Sequence, residues 1–219
     1  MDLSPSRSVR MVLYLVRHGE TTYNAEGRIQ GQSDAPLSAL GHRQSRAVAE
    51  ALSTTAIEAI YSSPLRRALE SAAPIAERLG LPVRADPRLM ELDAGLFEGR
   101  LRSELATEYA AELARWLSGD DDFAIPGGES RRQLAHRGCE ALRAIAAAGH
   151  RQAVIVTHGG LLSATLRTLL SLPQPLPPFS LQNGSITRVT ADDRGQLALL
   201  SLNDIEHLRA IGLSGSGDL

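Results

Sequence analysis

The chain has 219 residues, 43% of them hydrophobic, with a formal net charge of -2 and an isoelectric point near 6.3. This length and apolar content predict one domain with a substantial core, and the charge argues against nucleic acid or an anionic membrane as the main partner. All 23 basic residues are arginines, which excludes mechanisms that need a Schiff-base lysine or a P-loop lysine.

The sequence also bears on the compartment. No apolar stretch approaches the ~20 residues that a transmembrane helix requires. Residues 1–10 are polar and lack the apolar core of a signal peptide, and the single cysteine, Cys139, cannot form an internal disulfide. We therefore expect a cytoplasmic protein with disordered tails at residues 1–10 and 212–219.

The first predicted strand is the apolar run of residues 11–16, typical of a strand buried on both faces of a parallel sheet. It ends at Arg17 and His18, which Gly19 follows. Ligands of open α/β sheets bind beyond the carboxyl ends of the strands, so we expect Arg17 and His18 at the ligand-binding edge. A cation, an imidazole and a glycine at that edge indicate an anionic ligand.

A polar loop and two strand–helix units follow. Residues 21–33 form the loop, which is expected to contribute to binding, and Ser38 is placed to cap a helix that runs to about Leu52. Residues 57–61 form the next predicted strand and residues 64–79 the next helix.

The start of the helix predicted at residues 64–79 carries a second phosphate signal. Ser63 is a good N-cap and Pro64 a good first helical residue, which places Arg66 and Arg67 in the first turn. The helix dipole is already positive there, so two arginines are unfavourable unless an anion compensates them. Phosphate is the natural candidate.

The middle of the chain is less regular. Residues 87–99, which we call the acidic segment, contain Glu91, Asp93 and Glu98. Around them we predict an edge strand at residues 81–84, a helix at 104–117, a surface loop at 118–123 and a long helix that opens at 126–130 and runs to 148.

The strand–histidine–glycine pattern of the first strand returns later. Residues 153–156 form a short apolar run that leads to His158 and Gly159. If this strand is parallel to the first, both histidines lie at the same edge. Beyond it we predict a helix at 161–170, an irregular proline-rich connection at 172–179, and two strands, one around Val189 and one at 197–202.

Four of these blocks together resemble the histidine phosphatase superfamily, also called the phosphoglycerate mutase-like family. The blocks are V-R-H-G-E-T from Val16, S-S-P-L-R-R-A from Ser62, G-G-E-S from Gly127 and V-T-H-G-G from Val156. They occur in the family's order and the match covers nearly the whole chain. The resemblance implies a single domain, residues 1–219, folded as an α/β three-layer sandwich with a mostly parallel central sheet flanked by helices.

The resemblance also implies a phosphohistidine mechanism without metal or cofactor. His18 would be the nucleophile and Glu91 the proton donor, although Asp93 and Glu98 lie close enough in sequence to be confused with Glu91. Forked arginine donors match phosphate geometry. The expected catalytic set is His18, Glu91, His158, Arg17 and Arg66, and the expected substrate-binding set is Asn24, Gln30, Thr21 and Gly159. Arg67 is interpreted as a surface residue and not a ligand, because Arg66 has the family's position.

Three functions remain open, led by hydrolysis of a small phosphorylated metabolite. Mutases of the family follow the glutamate with an arginine and then a tyrosine and glycine that grip phosphoglycerate, whereas residues 91–95 here read E-L-D-A-G. This favours a phosphatase over a mutase; a non-catalytic phospho-ligand binding protein is the third alternative. A homodimer is plausible, and residues 92–128 are a candidate lid, whose Phe97, Leu101, Tyr109 and Trp116 would meet the substrate or, more simply, pack in the core.

Overall fold

The computed structural model of the protein describes residues 9–172 and 179–211. The predicted tail at residues 212–219 and nearly all of the predicted connection at 172–179 lie outside these ranges. Val9 and Arg10 belong to the first strand, so the part of the expected N-terminal tail that the structure describes is ordered sheet.

In the described part of the chain, six strands form one sheet in the order β3-β2-β4-β1-β5-β6. The strands are β1 (Val9–Arg17), β2 (Ala59–Ser62), β3 (Val83–Ala85), β4 (Gln152–Thr157), β5 (Ile186–Asp192) and β6 (Leu197–Asp204). Strands β3, β2, β4 and β1 pair in parallel, whereas β5 runs antiparallel to β1 and to β6. The expected mostly parallel sheet is confirmed.

Helices cover both faces of this sheet. They are α1 (Thr22–Glu26), α2 (Ala39–Leu52), α3 (Arg66–Leu79), α4 (Arg102–Glu108), α5 (Ala110–Leu117), α6 (Arg131–Ala146) and α7 (Gly159–Leu169). None of the helices in the described part of the chain is both long and apolar enough to cross a membrane.

The central strands are apolar on both faces because each face has its own core. Leu13, Leu15 and Ile155 point to the face covered by α6, α7 and the acidic segment. Val16 and Val156 point to the other face, which α2 and α3 cover. Successive side chains of a strand alternate between faces, so one unbroken apolar run serves both layers of the sandwich.

The helix α1 lies within the loop predicted at residues 21–33, and the ends of α6 and α7 differ from the prediction by a few residues. Two further departures have a visible local cause. α3 begins at Arg66 instead of Pro64, with Leu65 at the N-cap, because the Ser63 hydroxyl accepts the Leu65 N–H at 3.2 Å and closes a turn before the helix starts. The single helix expected at residues 104–117 is two, because Tyr109 leaves the helical backbone conformation at φ -131° and ψ 36°.

Candidate active site

Strand register brings the two sequence-predicted histidines together. Arg17 pairs with Thr157 at the carboxyl ends of the neighbouring parallel strands β1 and β4, so His18 and His158 leave the sheet side by side. Their ring centroids lie 5.1 Å apart with the planes inclined at 58°. His18 is 1% exposed and His158 is fully buried. The expected placement of both histidines at one edge is confirmed.

The His18 ring is fixed in one tautomer. Its Nδ1 lies 2.7 Å from the carbonyl oxygen of Gly19, and a carbonyl can only accept a hydrogen bond. Neutral His18 therefore carries its proton on Nδ1 and leaves the lone pair on Nε2. Gly19 must be a glycine, since a Cβ there would lie 2.5 Å from the carbonyl oxygen of Gly41.

Both imidazoles are held neutral near pH 7. Burial lowers the pKa of His18 well below its ordinary value, and the positive charges of Arg67 and Arg17 lower it further. Burial also lowers the pKa of His158, with added repulsion from Arg67, from His18 and from Arg137. A neutral imidazole is the form that can act as a nucleophile.

Two buried arginines flank the histidine pair. The Arg17 guanidinium donates to the carbonyl oxygen of Leu181. Arg67, in the first turn of α3, donates to the carbonyl oxygens of Gly31 at 2.6 Å and Ser33 at 2.8 Å. Each arginine is 1% exposed. The cluster therefore concentrates positive charge at the carboxyl edge of the sheet.

The sequence interpretation of Arg66 and Arg67 is wrong. The Arg66 side chain is 54% exposed and its Nε donates to Glu70 at 2.7 Å, so Arg66 is the surface residue of the pair. Arg67 is the one that lies with the histidines. Adjacent helical residues point about 100° apart, so a one-residue choice decides which guanidinium enters the site. Nothing in the local sequence indicates which of Arg66 and Arg67 points into the site.

Asn24, Thr21 and Gln30 form a buried hydrogen-bonded group next to His18. The Asn24 Oδ1 accepts from the Thr21 backbone N–H and from the Thr21 hydroxyl, both at 3.1 Å. The Gln30 Oε1 lies 2.8 Å from the same hydroxyl, whose single hydrogen is shared between the two amide oxygens. Both amides thus use their oxygens inside the protein, and no described residue accepts from the Asn24 Nδ2. The Asn24 amide nitrogen is therefore oriented to donate to an anion.

Asn183 is a supporting residue that the sequence analysis missed. Its side-chain amide donates to the His18 carbonyl oxygen at 3.0 Å and to the Asn24 Oδ1 at 3.3 Å. The backbone N–H of Gly184 donates to the Arg17 carbonyl oxygen at 3.0 Å. An asparagine–glycine pair before a strand reads as a turn, so its contact with the first strand, far away in sequence, had no local signal.

The Glu91 carboxylate contacts the N-terminus of α7, the helix that begins directly after His158. One carboxylate oxygen accepts from the N–H of Gly160 and the other from the N–H of Leu161, both at 3.0 Å. The Leu92 N–H adds a third bond at 2.8 Å. Gly160 permits this approach, because a Cβ there would lie 2.6 Å from the Glu91 Oε1. Gly159 is buried and is the first residue of α7.

The other two carboxylates of the acidic segment serve the backbone around them. Glu98 accepts from the Gln32 N–H at 2.7 Å and from the Ser33 hydroxyl at 3.1 Å. Asp93 accepts from the Gly95 N–H at 3.1 Å. Glu91 is therefore the carboxylate of this segment that is bonded beside His158. Among residues 9–172 and 179–211, no three His, Cys, Asp or Glu side chains are grouped to hold a metal ion.

The aromatic side chains of the candidate lid face the interior. Phe97 and Trp116 are buried in the core beneath the sheet, and Tyr109 packs against the same core. Arg131 stacks on the Trp116 ring with its guanidinium carbon 3.6 Å from the ring centroid. Core packing, the simpler of the two sequence readings, accounts for Phe97 and Trp116.

Comparison with known proteins identifies the family. A family model described as histidine phosphatase superfamily (branch 1) matches residues 13–205. The chain is 41% identical over 207 residues to a probable phosphoglycerate mutase GpmB of Proteus mirabilis, covering 92% of this chain and 96% of that protein.

Two solved structures extend the comparison to phosphatases. A mycobacterial glucosyl-3-phosphoglycerate phosphatase complexed with VO3 is 34% identical at a TM-score of 0.79, covering 91% of this chain and 100% of that one. A phosphoserine phosphatase variant of Entamoeba histolytica, in complex with phosphoserine, is 30% identical at a TM-score of 0.79 and covers 90% and 99%. With its paired histidines at the expected strand ends, the chain belongs to the histidine phosphatase superfamily.

Proposed function

We propose that the protein is a metal-independent phosphomonoester hydrolase that acts on a small phosphorylated metabolite through a phosphohistidine at His18. The observation that carries the proposal is the state of His18: buried, neutral and fixed as the Nδ1–H tautomer, it faces His158 between two buried arginines. That is the arrangement a nucleophilic imidazole needs beside a dianion.

Binding comes first. Arg17 and Arg67 neutralise the charge on the phosphoryl oxygens, and the Asn24 amide supplies a neutral donor. The neutral His158 donates from its protonated ring nitrogen; no described residue pairs with either of its ring nitrogens. Phosphate bound here would give a partner to the Asn24 Nδ2 and to His158, which no other described residue provides.

The first chemical step forms the phosphoenzyme. The His18 Nε2 lone pair attacks phosphorus, an N–P bond forms, and the bond from phosphorus to the ester oxygen breaks. The leaving oxygen takes the electron pair and a proton from Glu91. Glu91 must be protonated for this step. The three backbone N–H groups that donate to it favour its carboxylate form, and the negative charge of the bound phosphoryl group opposes that ionisation.

The second step returns the enzyme to its initial state. Glu91, now a carboxylate, accepts a proton from water while the water oxygen attacks phosphorus. The N–P bond breaks and its electron pair returns to His18, which is again a neutral imidazole. Inorganic phosphate leaves, and the proton on Glu91 is ready for the next substrate molecule.

The residues after Glu91 support water as the acceptor. The mutases of the family carry an arginine and a tyrosine where this chain has Leu92 and Ala94, and both of these side chains are buried in the apolar core. Neither can hold the carboxylate of a phosphoglycerate. The Asp93 carboxylate beside them would repel one.

A phosphoglycerate mutase is the second candidate. The Proteus mirabilis relative, 41% identical, is named a probable phosphoglycerate mutase, and that name favours transfer between phosphoglycerates. The phosphatases among the solved structures favour hydrolysis instead and suggest phosphorylated hydroxy or amino acids as substrates.

The test is a panel of phosphomonoesters assayed for phosphate release with and without EDTA. It contains phosphoserine, the phosphoglycerates, glucosyl-3-phosphoglycerate, α-ribazole phosphate and an aryl phosphate. We expect release that EDTA does not change and that His18→Ala abolishes. Phosphoryl transfer from bisphosphoglycerate to monophosphoglycerate without net release would establish the mutase instead, and binding of these esters without turnover would establish a binding protein.

A further inference from the structure

An arginine outside the catalytic set organises the backbone on both sides of Glu91. Arg137, on α6, is 19% exposed at its side chain and forms an ion pair with Glu129 at 2.5 Å. Its Nε donates to the second Glu129 oxygen at 3.1 Å. The guanidinium is thus held by a bidentate carboxylate partner, a geometry that a lysine cannot reproduce.

The remaining N–H groups of Arg137 go to backbone carbonyls of the acidic segment. Nη1 donates to the carbonyl oxygens of Arg88 at 2.9 Å and Met90 at 2.5 Å. Nη2 donates to the carbonyl oxygen of Glu91 at 2.8 Å, besides its bond to Glu129. All five donors of the guanidinium are therefore used, and three of them hold the four-residue stretch that ends at Glu91.

These side-chain bonds take the place of the backbone hydrogen bonds that a helix or a strand would provide. Beyond the 3-10 turn at Pro87–Leu89, the backbone around Glu91 is in neither helix nor strand. Glu129 completes the frame, because its Oε1 also accepts the Asp93 N–H at 3.0 Å. The Arg137–Glu129 pair thereby fixes the backbone just before and just after Glu91.

We propose that Arg137, with Glu129, is the positioning element that aims the Glu91 carboxyl group at the substrate's leaving oxygen. This inference rests on the proposed function, in which Glu91 protonates that oxygen. Arg137 touches neither the phosphoryl group nor the reacting atoms. Its loss lets the Glu91 backbone drift, and a shift of about 1 Å in a catalytic group is enough to cost on the order of 10²-fold in rate.

Leaving-group dependence separates this role from a merely structural one. An alkyl phosphate expels a strongly basic alkoxide and needs the proton, whereas an aryl phosphate with an acidic phenol leaves without it. We compare kcat/KM for both substrates in wild type, Glu91→Gln, Arg137→Lys and Glu129→Gln. Glu91→Gln is expected to lose about 10²- to 10⁴-fold on the alkyl ester and far less on the aryl ester.

Arg137→Lys should show the same selectivity, with a loss on the alkyl ester at least about tenfold greater than on the aryl ester. Glu129→Gln keeps Arg137 and most of the side-chain volume, and it carries the test if Arg137→Lys does not fold. The control is Arg132→Lys on the same helix, whose exposed side chain pairs with Asp122; it should leave both substrates unaffected.

Two outcomes overturn the inference, and they differ in what else they reject. If Glu91→Gln is selective for the alkyl ester while Arg137→Lys and Glu129→Gln lower both substrates equally, Arg137 is not a positioning residue and the hydrolase mechanism stands. If Glu91→Gln shows no such selectivity, or His18→Ala retains turnover, the proposed function fails and the inference falls with it.

Discussion

The two histidines and Glu91 meet in one site but are held there by different means. His18 and His158 follow β1 and β4, which are paired through six consecutive register positions and buried on both faces. Glu91 lies in irregular backbone that side chains from other elements hold: Thr157 bonds the Leu89 carbonyl oxygen at 2.7 Å, and Arg137 bonds its neighbours. The nucleophilic half of the site is built by the sheet, whereas the acid half depends on single long-range side chains.

Different sensitivities to mutation follow from this contrast. A position fixed by a strand ladder shares its restraint among many backbone bonds, so distant single substitutions move it little. A position fixed by a few side-chain bonds shifts when one of them is lost. Substitutions in the two halves should therefore differ in their effects.

Arg67, which the first turn of α3 brings to the histidine pair, gives the largest effect in the nucleophilic half. Arg67→Met removes a buried cation beside the phosphoryl group and should lower kcat/KM for any phosphomonoester by about 10²- to 10³-fold. Arg66→Met is the matched control, since its side chain pairs with Glu70 at the surface. Steady-state kinetics of the two variants decide the assignment; a large loss in Arg66→Met with little in Arg67→Met would restore the sequence interpretation.

Gly160 tests the acid half. Gly160→Ala places a methyl group 2.6 Å from the Glu91 Oε1. The helix backbone itself favours alanine over glycine. We expect a fall of about 10- to 100-fold in kcat/KM on an alkyl phosphate through displacement of Glu91. In a Glu91→Gln background the same change should add little, so additive losses in the double variant would contradict this account.

Glu98 connects the two halves and should matter chiefly for stability. Its carboxylate accepts the Gln32 N–H and the Ser33 hydroxyl, which ties the acidic segment to the loop that Arg67 also holds. Glu98→Ala should lower the free energy of unfolding by about 1.5–3 kcal/mol, as expected for a hydrogen-bonded charge. Urea denaturation measures it, and an unchanged midpoint would show that the two regions are independent.

The buried histidines should make stability depend on pH. Burial and nearby arginines lower the pKa of His158 in the folded protein, whereas the unfolded chain has the ordinary value of 6.5. Below pH 6.5 the unfolded chain therefore binds a proton that the folded one does not, and stability falls as pH falls.

His158→Asn should reduce this loss by about 1 kcal/mol per pH unit in urea titrations from pH 6.5 to 5.5. Its control is His136→Asn, an exposed position on α6; an equal slope in wild type and His158→Asn would contradict the buried neutral state.

The same contrast explains which parts of the fold and of the site could be predicted from the sequence alone. Residues 11–16 and 153–156 predicted two buried parallel strands, and the carboxyl-edge rule then placed His18 and His158 together. The Ser38 cap was also readable, because capping is local: Ser38 accepts the Gly41 N–H at 3.1 Å.

What the sequence could not provide depends on tertiary contacts. The start of α3 shifted by two residues because Ser63 closes a turn, and the choice between Arg66 and Arg67 depends on which side chain points inward. Arg137 reads as an ordinary polar residue of an amphipathic helix. Its partners are backbone carbonyls more than forty residues earlier in the chain, with no local pattern to announce them.

The most direct test of the account is to trap the phosphoenzyme. We would mix the enzyme with a rapidly cleaved aryl phosphate, quench it in alkali, where phosphohistidine survives, and map the modified peptide by mass spectrometry. We expect one phosphoryl group on His18, absent in His18→Ala and accumulating in Glu91→Gln because water is no longer activated. Phosphate release with an unmodified His18, or with the phosphoryl group on another residue, would contradict it.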